Sequence, residues 1–348
     1  MVTRMSNRLQ GRPPTIRDIA REAGVSVATI SRVLNRQPHV APATRAAVLR
    51  VVHERGFSQN PSARALSGAP TGLVGVTLPY MRSSYFATIT ASLAEALHEQ
   101  DMRPIICPTL DEHDREVGLL ERLMRGTTDG AVLILPSESN DELRELSDHG
   151  YPFVVLDPRV PLDPEIASVS SANTAGAIDA TEHLLRLGHR RIAAITGPAG
   201  WCATEERLIG YRGALARAGV ALDQDLEIEA NFEIDGGYAA ADRLFDSPSP
   251  PTAIFAFNDN LAIGALQAAR TRGLGVPADV SLVGFDDSEN APLVTPPLTS
   301  VRQPLIEMGR MAVTLLLRLL AERGAETLKI ELATTLVVRG STAAPPTA

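Results

Sequence analysis

Between Met1 and Leu66 the chain carries eleven arginines (Arg4, Arg8, Arg12, Arg17, Arg21, Arg32, Arg36, Arg45, Arg50, Arg55 and Arg64) against only Asp18, Glu22 and Glu54. That balance is +8, so a chain of 348 residues with a net charge of −8 holds −16 in the remainder. Guanidinium groups at this density suit a polyanion, because each can make charge-assisted hydrogen bonds to phosphate oxygens. A basic head on an acidic body implies that only the head meets that polyanion.

Catalytic chemistry finds few candidates. The seven histidines are scattered, and His183 and His189, six apart, do not share a helical face. Asp286 and Asp287 are adjacent carboxylates, but successive residues on an extended strand end point apart, which does not suit an acid/base pair. No nucleophile-elbow glycine pattern, P-loop or zinc-ligand spacing occurs, so an enzyme, a metal and a cofactor are all unexpected. Cys107 and Cys202 have neither metal spacing nor the number for a disulfide framework, and read as small buried hydrophobes in a reducing compartment.

The elements that must position these groups fall into two styles. The head reads as three short helices. Thr15 caps the first, with Asp18 reaching back in a capping box, and Ile16, Ile19, Ala20 and Ala23 form its apolar side. Gly24 ends it, and Ser26 caps a second helix whose Ile30, Val33 and Leu34 recur at helical spacing, leaving Val27, Ala28, Ser31 and Arg32 on the other side. Helix, tight turn and capped helix make a helix-turn-helix. Pro42 starts a third helix, expected to turn Ala46, Leu49 and Val52 inward, and Gly56 stops it. Ala41 stands where a side-chain cap would be expected, a loss of about 1 kcal/mol.

From Thr71 the pattern becomes short apolar strands alternating with amphipathic helices, which implies right-handed crossovers and parallel sheets covered on both faces. Expected strands are 73–78, 104–108, 130–135, 153–156, 191–196, 253–256 and 281–285, with helices such as 86–100, 175–187, 205–218 and 261–272. So many strands suit two sheets. The Pro-rich stretch 157–164 is the expected crossing between lobes and 286–304 the return. No apolar run approaches the ~18 residues of a membrane span, and the basic N-terminus lacks an apolar stretch behind it, so a cytoplasmic, nucleoid-associated protein is expected.

The stretch TIRDIAREAGVSVATISRVLN (15–35), then 40–56 and NPSARAL (60–66), resembles the DNA-binding head and hinge of the LacI/GalR family of transcription regulators. HLLRLGHRRIAAITGP (183–198), ERLIGYRGAL (206–215), FAFNDNLAIGAL (255–266) and SLVGFDDSENAPLVTPPLTSVRQP (281–304) resemble the same family, in its order, over nearly the whole chain. The implied fold is a small all-α helix-turn-helix head (1–57), a hinge helix and linker (58–70), and an α/β body like periplasmic binding proteins with two parallel-sheet, Rossmann-like lobes (71–342). The first lobe would comprise 71–160 and 290–323, the second 161–289 and 324–342, with a disordered tail at 343–348.

The resemblance implies that Val27, Ala28 and Arg32 read base edges in the major groove. Arg32 can pair bidentately with guanine, while Val27 and Ala28 offer apolar contact, for example to a thymine methyl. Thr15, Ser26, Thr29, Ser31 and Asn35 would fix register on phosphates. The hinge, with Asn60 and Arg64, is too short to hold a helix alone and would fold in the minor groove, Leu66 wedging into a base step. In the body the family's cleft maps onto Arg207, Asn258, Asp259 and Asp286, groups suited to paired hydrogen bonds with vicinal hydroxyls. Asp259 and Asp286 could instead close turns. Trp201 could stack on a pyranose ring or be a half-buried loop residue, and Ser84, Tyr85 and Phe86 would supply the near wall or belong to the core. The expectation is a homodimeric repressor of palindromic double-stranded operator DNA controlled by a small sugar, with xylose, xylo-oligosaccharide or cellobiose as candidates. The alternatives are a sugar-binding protein of periplasmic type without DNA function, and a regulator using a purine corepressor.

Overall fold

The computed structural model describes residues 14–34, 38–57, 70–322 and 326–346. The chain separates into two units, 1–71 and 72–348.

In the first unit, α1 (Ile16–Ala23) begins at a complete capping box. Thr15 N donates to Asp18 Oδ2 at 2.9 Å, and Asp18 N returns to Thr15 Oγ1 at 3.4 Å. Gly24 takes the left-handed conformation (φ +66°) that a side chain would resist, turning the chain sharply. Ser26 Oγ then accepts from Thr29 N at 3.1 Å and starts α2 (Val27–Leu34). The third helix, α3 (Pro42–Arg55), starts at Ala41 with no side-chain cap. Ile19, Ile30, Val33, Val48 and Val51 form the core. Here α3 is rotated from the expected face: Ala46 and Leu49 are exposed, whereas Val48 and Val51 are buried and Val52 packs beside them. In the run VLRVV either phase keeps helical spacing. Arg45 Nη1, bonded to Val33 O at 3.4 Å, ties the start of α3 to the end of α2 in the observed rotation.

The second unit holds β1 (Leu73–Leu78), β2 (Arg103–Pro108), β3 (Gly130–Ile134), β4 (Phe153–Leu156), β5 (Ser168–Ser171), β6 (Ile192–Thr196), β7 (Glu227–Glu229), β8 (Ala253–Ala256), β9 (Ser281–Asp286), β10 (Thr299–Arg302), β11 (Lys329–Leu332) and β12 (Thr335–Val337). Its helices are α4 (Ser84–His98), α5 (His113–Met124), α6 (Asn140–Asp148), α7 (Asn173–Arg186), α8 (Cys202–Arg217), α9 (Ile234–Phe245), α10 (Asp259–Thr271) and α11 (Leu305–Ala321). Two six-stranded sheets result, ordered β11-β5-β4-β3-β1-β2 and β12-β10-β9-β8-β6-β7. All neighbours are parallel except β12, which runs antiparallel to β10. Central strands such as Val132–Ile134 and Ile254–Phe255 are buried on both faces, as continuous apolar runs in parallel sheets must be. Each fully buried Leu, Ile or Phe contributes about 1.5–3 kcal/mol.

The lobes divide elsewhere than expected. The stretch 157–164 stays within the first lobe, laced by Asn140 Nδ2 to Pro161 O (2.9 Å) and Arg144 to Asp163 (2.7 Å). The first crossing follows β5, whose SVSS sequence is too polar to announce a strand, yet β5 pairs with β4 and β11. The return follows β10, which pairs with β9, so 290–302 belong to the second lobe rather than the first. A third crossing separates β11 in the first sheet from β12 in the second, so 326–332 belong to the first lobe. Of the tail expected to be disordered, Ala343 is seated: its N–H donates to Ser281 Oγ at 3.0 Å and its carbonyl lies 2.9 Å from His189 Nε2, while 347–348 lie outside the described residues. Among the described residues no helix is long and apolar enough to cross a membrane.

Candidate functional site

In α2 the core claims Ile30 and Val33, at 0% and 2% exposure, which leaves the opposite side to solvent. Val27 is 41% exposed, Ala28 and Arg32 are exposed, and Thr29 and Ser31 are half-buried at the margin. Val27, Ala28 and Arg32 thus form an exposed side of mixed polarity on a short capped helix. Thr15 and Ser26 are already engaged in capping: Thr15 Oγ1 donates to Asp18 at 2.6 Å, and Ser26 Oγ lies 2.9 Å from Thr29 Oγ1. Asn35, Asn60, Arg64 and Leu66 lie outside the described residues.

In the body, parallel strands deliver their carboxyl ends to one place, the usual position of ligand crevices in such sheets. Tyr80 follows β1, Leu135 β3, Asp157 β4, Phe232 β7, Asn258 β8 and Gln303 β10, while Asp286 ends β9; all line a cavity of about 400 Å³ drawn from both lobes. Four of its lining residues, Asp111, Leu135, Asp157 and Asp286, are non-glycine residues with φ between +50° and +108°. Backbone held in this disfavoured region costs of order 1–3 kcal/mol per residue and concentrates where a site must be shaped.

Arg207, on α8, is the buried cation of the cavity, whereas Arg82, also in its lining, is exposed. It is 3% exposed; Nε donates to Asn173 Oδ1 at 2.9 Å, Nη1 donates to Phe257 O, and the guanidinium lies over the Phe285 ring at 3.7 Å. Burial lowers its pKa, opposed by the neighbouring Asp286 and Asp157. Asp286 accepts from Gln303 Nε2 at 2.7 Å, and burial pushes its carboxyl up to about 8 despite Arg207. Burial also raises Asp157, against the pull of the Tyr85 hydroxyl, which donates to it at 2.5 Å, and of Arg207. Tyr85 itself is pushed well above the usual phenol range by burial and then by Asp157. A cation with two reluctant carboxyls and a phenol offers donors and acceptors to hydroxyl groups while opposing a second negative charge.

The other expected cleft residues distribute unevenly. Tyr85 and Phe86 line the cavity as an edge-to-face pair with centroids 5.2 Å apart. Trp201 lines it too, its indole 5.7 Å from Phe232 and beneath the Arg159 guanidinium at 4.4 Å. Asn258 lines it, with its amide already spent on Leu261 N and Phe232 O. Asp259 does not line it: 1% exposed, it accepts from Ser300 Oγ and Ser288 N, both at 2.6 Å, and so closes the turns beside β9 and β10. Ser84 opens α4 but faces the adjacent depression with Thr88 and Glu307 rather than the cavity. Asp157, Asn173 and Gln303 were not anticipated. Asp157 had a signal, a carboxylate directly after the buried strand FVVL, but the proline that follows read as linker.

A basic helix-turn-helix and a two-lobed body with a cavity lined by apolar walls and a few converging polar groups define a ligand-responsive DNA-binding regulator. The model for bacterial regulatory proteins of the lacI family matches residues 15–60, and that for periplasmic binding protein-like domains matches 181–342. The ribose operon repressor of Escherichia coli (strain K12) is 32% identical over 329 residues, 94% of this chain and 99% of its own. The HTH-type transcriptional regulator DegA of Bacillus subtilis (strain 168) is 36% identical over 298 residues, 85% and 88%. Among solved structures, a cellobiose complex of the transcriptional regulator CelR is 33% identical with a TM-score of 0.73, covering 94% of this chain and 99% of that one. The lac repressor dimer bound to operator and the anti-inducer ONPF is 27% identical with a TM-score of 0.85, covering 96% and 100%. The chain belongs to the LacI family of bacterial regulatory proteins, whose matched members are transcriptional regulators and not enzymes.

Proposed function

We propose that the chain is a cytoplasmic, homodimeric repressor that binds a palindromic operator through α2 and is switched by a small neutral sugar held in the interlobe cavity. The observation that carries this reading is the division of α2, with Ile30 and Val33 buried and Val27, Ala28 and Arg32 exposed, in a chain whose body holds a cavity between its lobes with Arg207, Asp157 and Asp286 in its lining. Arg32 is proposed to pair with a guanine and Val27 and Ala28 to pack on thymine methyls. Thr29, Ser31 and Asn35 are proposed to hold phosphates, with Thr15 and Ser26 contributing through the helix starts they cap. Asn60, Arg64 and Leu66 are proposed to enter the minor groove, Leu66 as the wedge. Arg207, Asp157 and Asp286 are proposed to bind ring hydroxyls. A dimer suits a palindrome because two-fold protein symmetry matches two half-sites, and the lac repressor structure is a dimer on its operator. The ribose and cellobiose in the names of relatives support a sugar; purines stay in the test panel as the alternative ligand.

The test is binding of the purified chain to its own promoter fragment and to a shuffled fragment across a salt series. The proposal expects a ~10⁻⁸ to 10⁻¹¹ M complex on the promoter with a steep salt dependence. Equal affinity for both fragments would refute sequence-specific repression, and a shift caused only by a purine would replace the sugar.

A further inference from the structure

We propose that the cavity recognises a ligand of at least two linked sugar rings, the inner ring held by Asp157, Arg207 and Asp286 and the second ring against Trp201. This rests on the reading of the cavity as a site for a neutral sugar.

Two kinds of surface make up the cavity, a polar one that includes the half-buried Asp286 and an aromatic one. The deep polar groups are almost fully enclosed, with Asp157 at 5%, Arg207 at 3% and Gln303 at 4% exposure. Trp201, Phe232 and Tyr80 are half-buried and Arg82 is exposed, which places the aromatic wall nearer the mouth. Trp201 precedes Arg207 by six residues at the start of the same helix, a rise of about 9 Å along its axis. A single pyranose bonded at Arg207 leaves much of a 400 Å³ cavity unfilled. Five of the chain's fourteen aromatic residues, Tyr80, Tyr85, Phe86, Trp201 and Phe232, line this one cavity. Apolar walls with a few convergent polar groups suit the two chemistries of a glycan, the C–H faces of its rings and its hydroxyls.

The aromatic wall is held in place. Arg159 does not line the cavity; it backs the indole, with Nη2 bonded to Asp111 Oδ1 at 2.5 Å and to Leu135 O at 3.2 Å. Its own carbonyl accepts from Cys202 N at 2.8 Å, so the residue after Trp201 is pinned to the first lobe. Phe232 presses on the backbone of Gly197, where a Cβ would stand 2.0 Å from the ring. Only glycine leaves room for the ring to flank Trp201 at that place. Rings fixed before ligand arrives lose little freedom on binding, which is how a stacking platform gains selectivity.

Trp201 is the only tryptophan, so its emission reports this wall alone. The experiment titrates the full chain with glucose, maltose, cellobiose and cellotriose, and with xylose and xylobiose, by calorimetry and tryptophan fluorescence. The proposal expects a disaccharide to bind at least about tenfold more tightly than its monosaccharide and to shift the emission, while the monosaccharide binds without shifting it. Trp201→Ala should lower the affinity for the disaccharide at least about tenfold more than that for the monosaccharide. Arg159→Gln should lower the disaccharide preference while keeping the emission signal. Equal binding of mono- and disaccharide, or an equal loss of both in Trp201→Ala, overturns the two-ring proposal and leaves the sugar reading intact. Failure of every sugar to bind overturns both.

Discussion

Replacing Arg207 by methionine isolates the cation at the centre of the cavity. Methionine keeps an unbranched stem that can lie on Phe285 but donates no hydrogen bond. The arginine makes two hydrogen bonds in a 3% exposed setting, to Asn173 Oδ1 at 2.9 Å and to Phe257 O. Bonds from a charged donor contribute about 1.5–3 kcal/mol each, while removing the buried charge returns a desolvation cost of several kcal/mol. The net loss of folding stability should therefore be about 1–3 kcal/mol, well below the sum of the bonds. The loss of ligand affinity should be larger in proportion, because a hydroxyl left facing Asp157 and Asp286 has lost its donor. Forfeiting one charge-assisted contact, about 1.5–3 kcal/mol, weakens effector binding about ten- to hundredfold. Urea denaturation followed by circular dichroism reads the first quantity and calorimetric titration with the effector reads the second. Unchanged effector affinity in Arg207→Met, with the fold intact, would refute the assignment of the cavity's cation to ligand binding.

Glu138 is 2% exposed, and burial, reinforced by Glu116 and opposed in part by its own backbone N–H and by Arg159, pushes it up to about 8. A carboxyl raised on folding keeps a proton that the unfolded chain has released, so it costs stability progressively as pH rises from about 4.5 towards about 8. Glu138→Gln should flatten stability against pH in that window, with Asp286 still contributing there; an unaltered slope in urea melts counts against it. Arg32→Ala should cost about 1–3 kcal/mol of operator affinity and relax preference at one base pair, read by competition with single-base operator variants. Leu66→Ala should weaken operator binding far more than nonspecific binding, and equal losses would remove the wedge role. Asp259→Ala should destabilise the body by about 1–3 kcal/mol by stranding Ser300 Oγ and Ser288 N, with effector affinity in the folded protein nearly unchanged.

The head was nearly complete in the sequence, because its signals are local: the Thr15–Asp18 box, Gly24, the Ser26 cap and the 3.6-residue periodicity each act within a few residues. Its one misreading, the face of α3, depended on Arg45 reaching across to Val33 O, a contact between helices that periodicity does not contain. The apolar strands of the body were legible for the same local reason. The polar β5, β7 and β10 were not, since SVSS, EIE and TSVR become strands only through the neighbours that complete their hydrogen bonds. The lobe boundaries depended on those strands and moved with them. At the cavity, Arg207, Asp286, Trp201, Tyr85 and Phe86 converge, but Asp259 and Ser84 turn elsewhere: adjacent residues at a helix start face different ways, and one position decides whether a carboxylate meets ligand or backbone. Asp157 entered because the chain after β4 stays in the first lobe instead of leaving it.

The central claim is that operator and effector bind one chain at two distinct sites linked through its conformation. The most direct measurement is a thermodynamic cycle: operator affinity by fluorescence anisotropy with and without saturating effector, and effector affinity by calorimetry with and without saturating operator. The account predicts that effector changes operator affinity about 5- to 150-fold and that operator changes effector affinity by the same factor, as linkage requires. Effector binding that leaves operator affinity unchanged would contradict it.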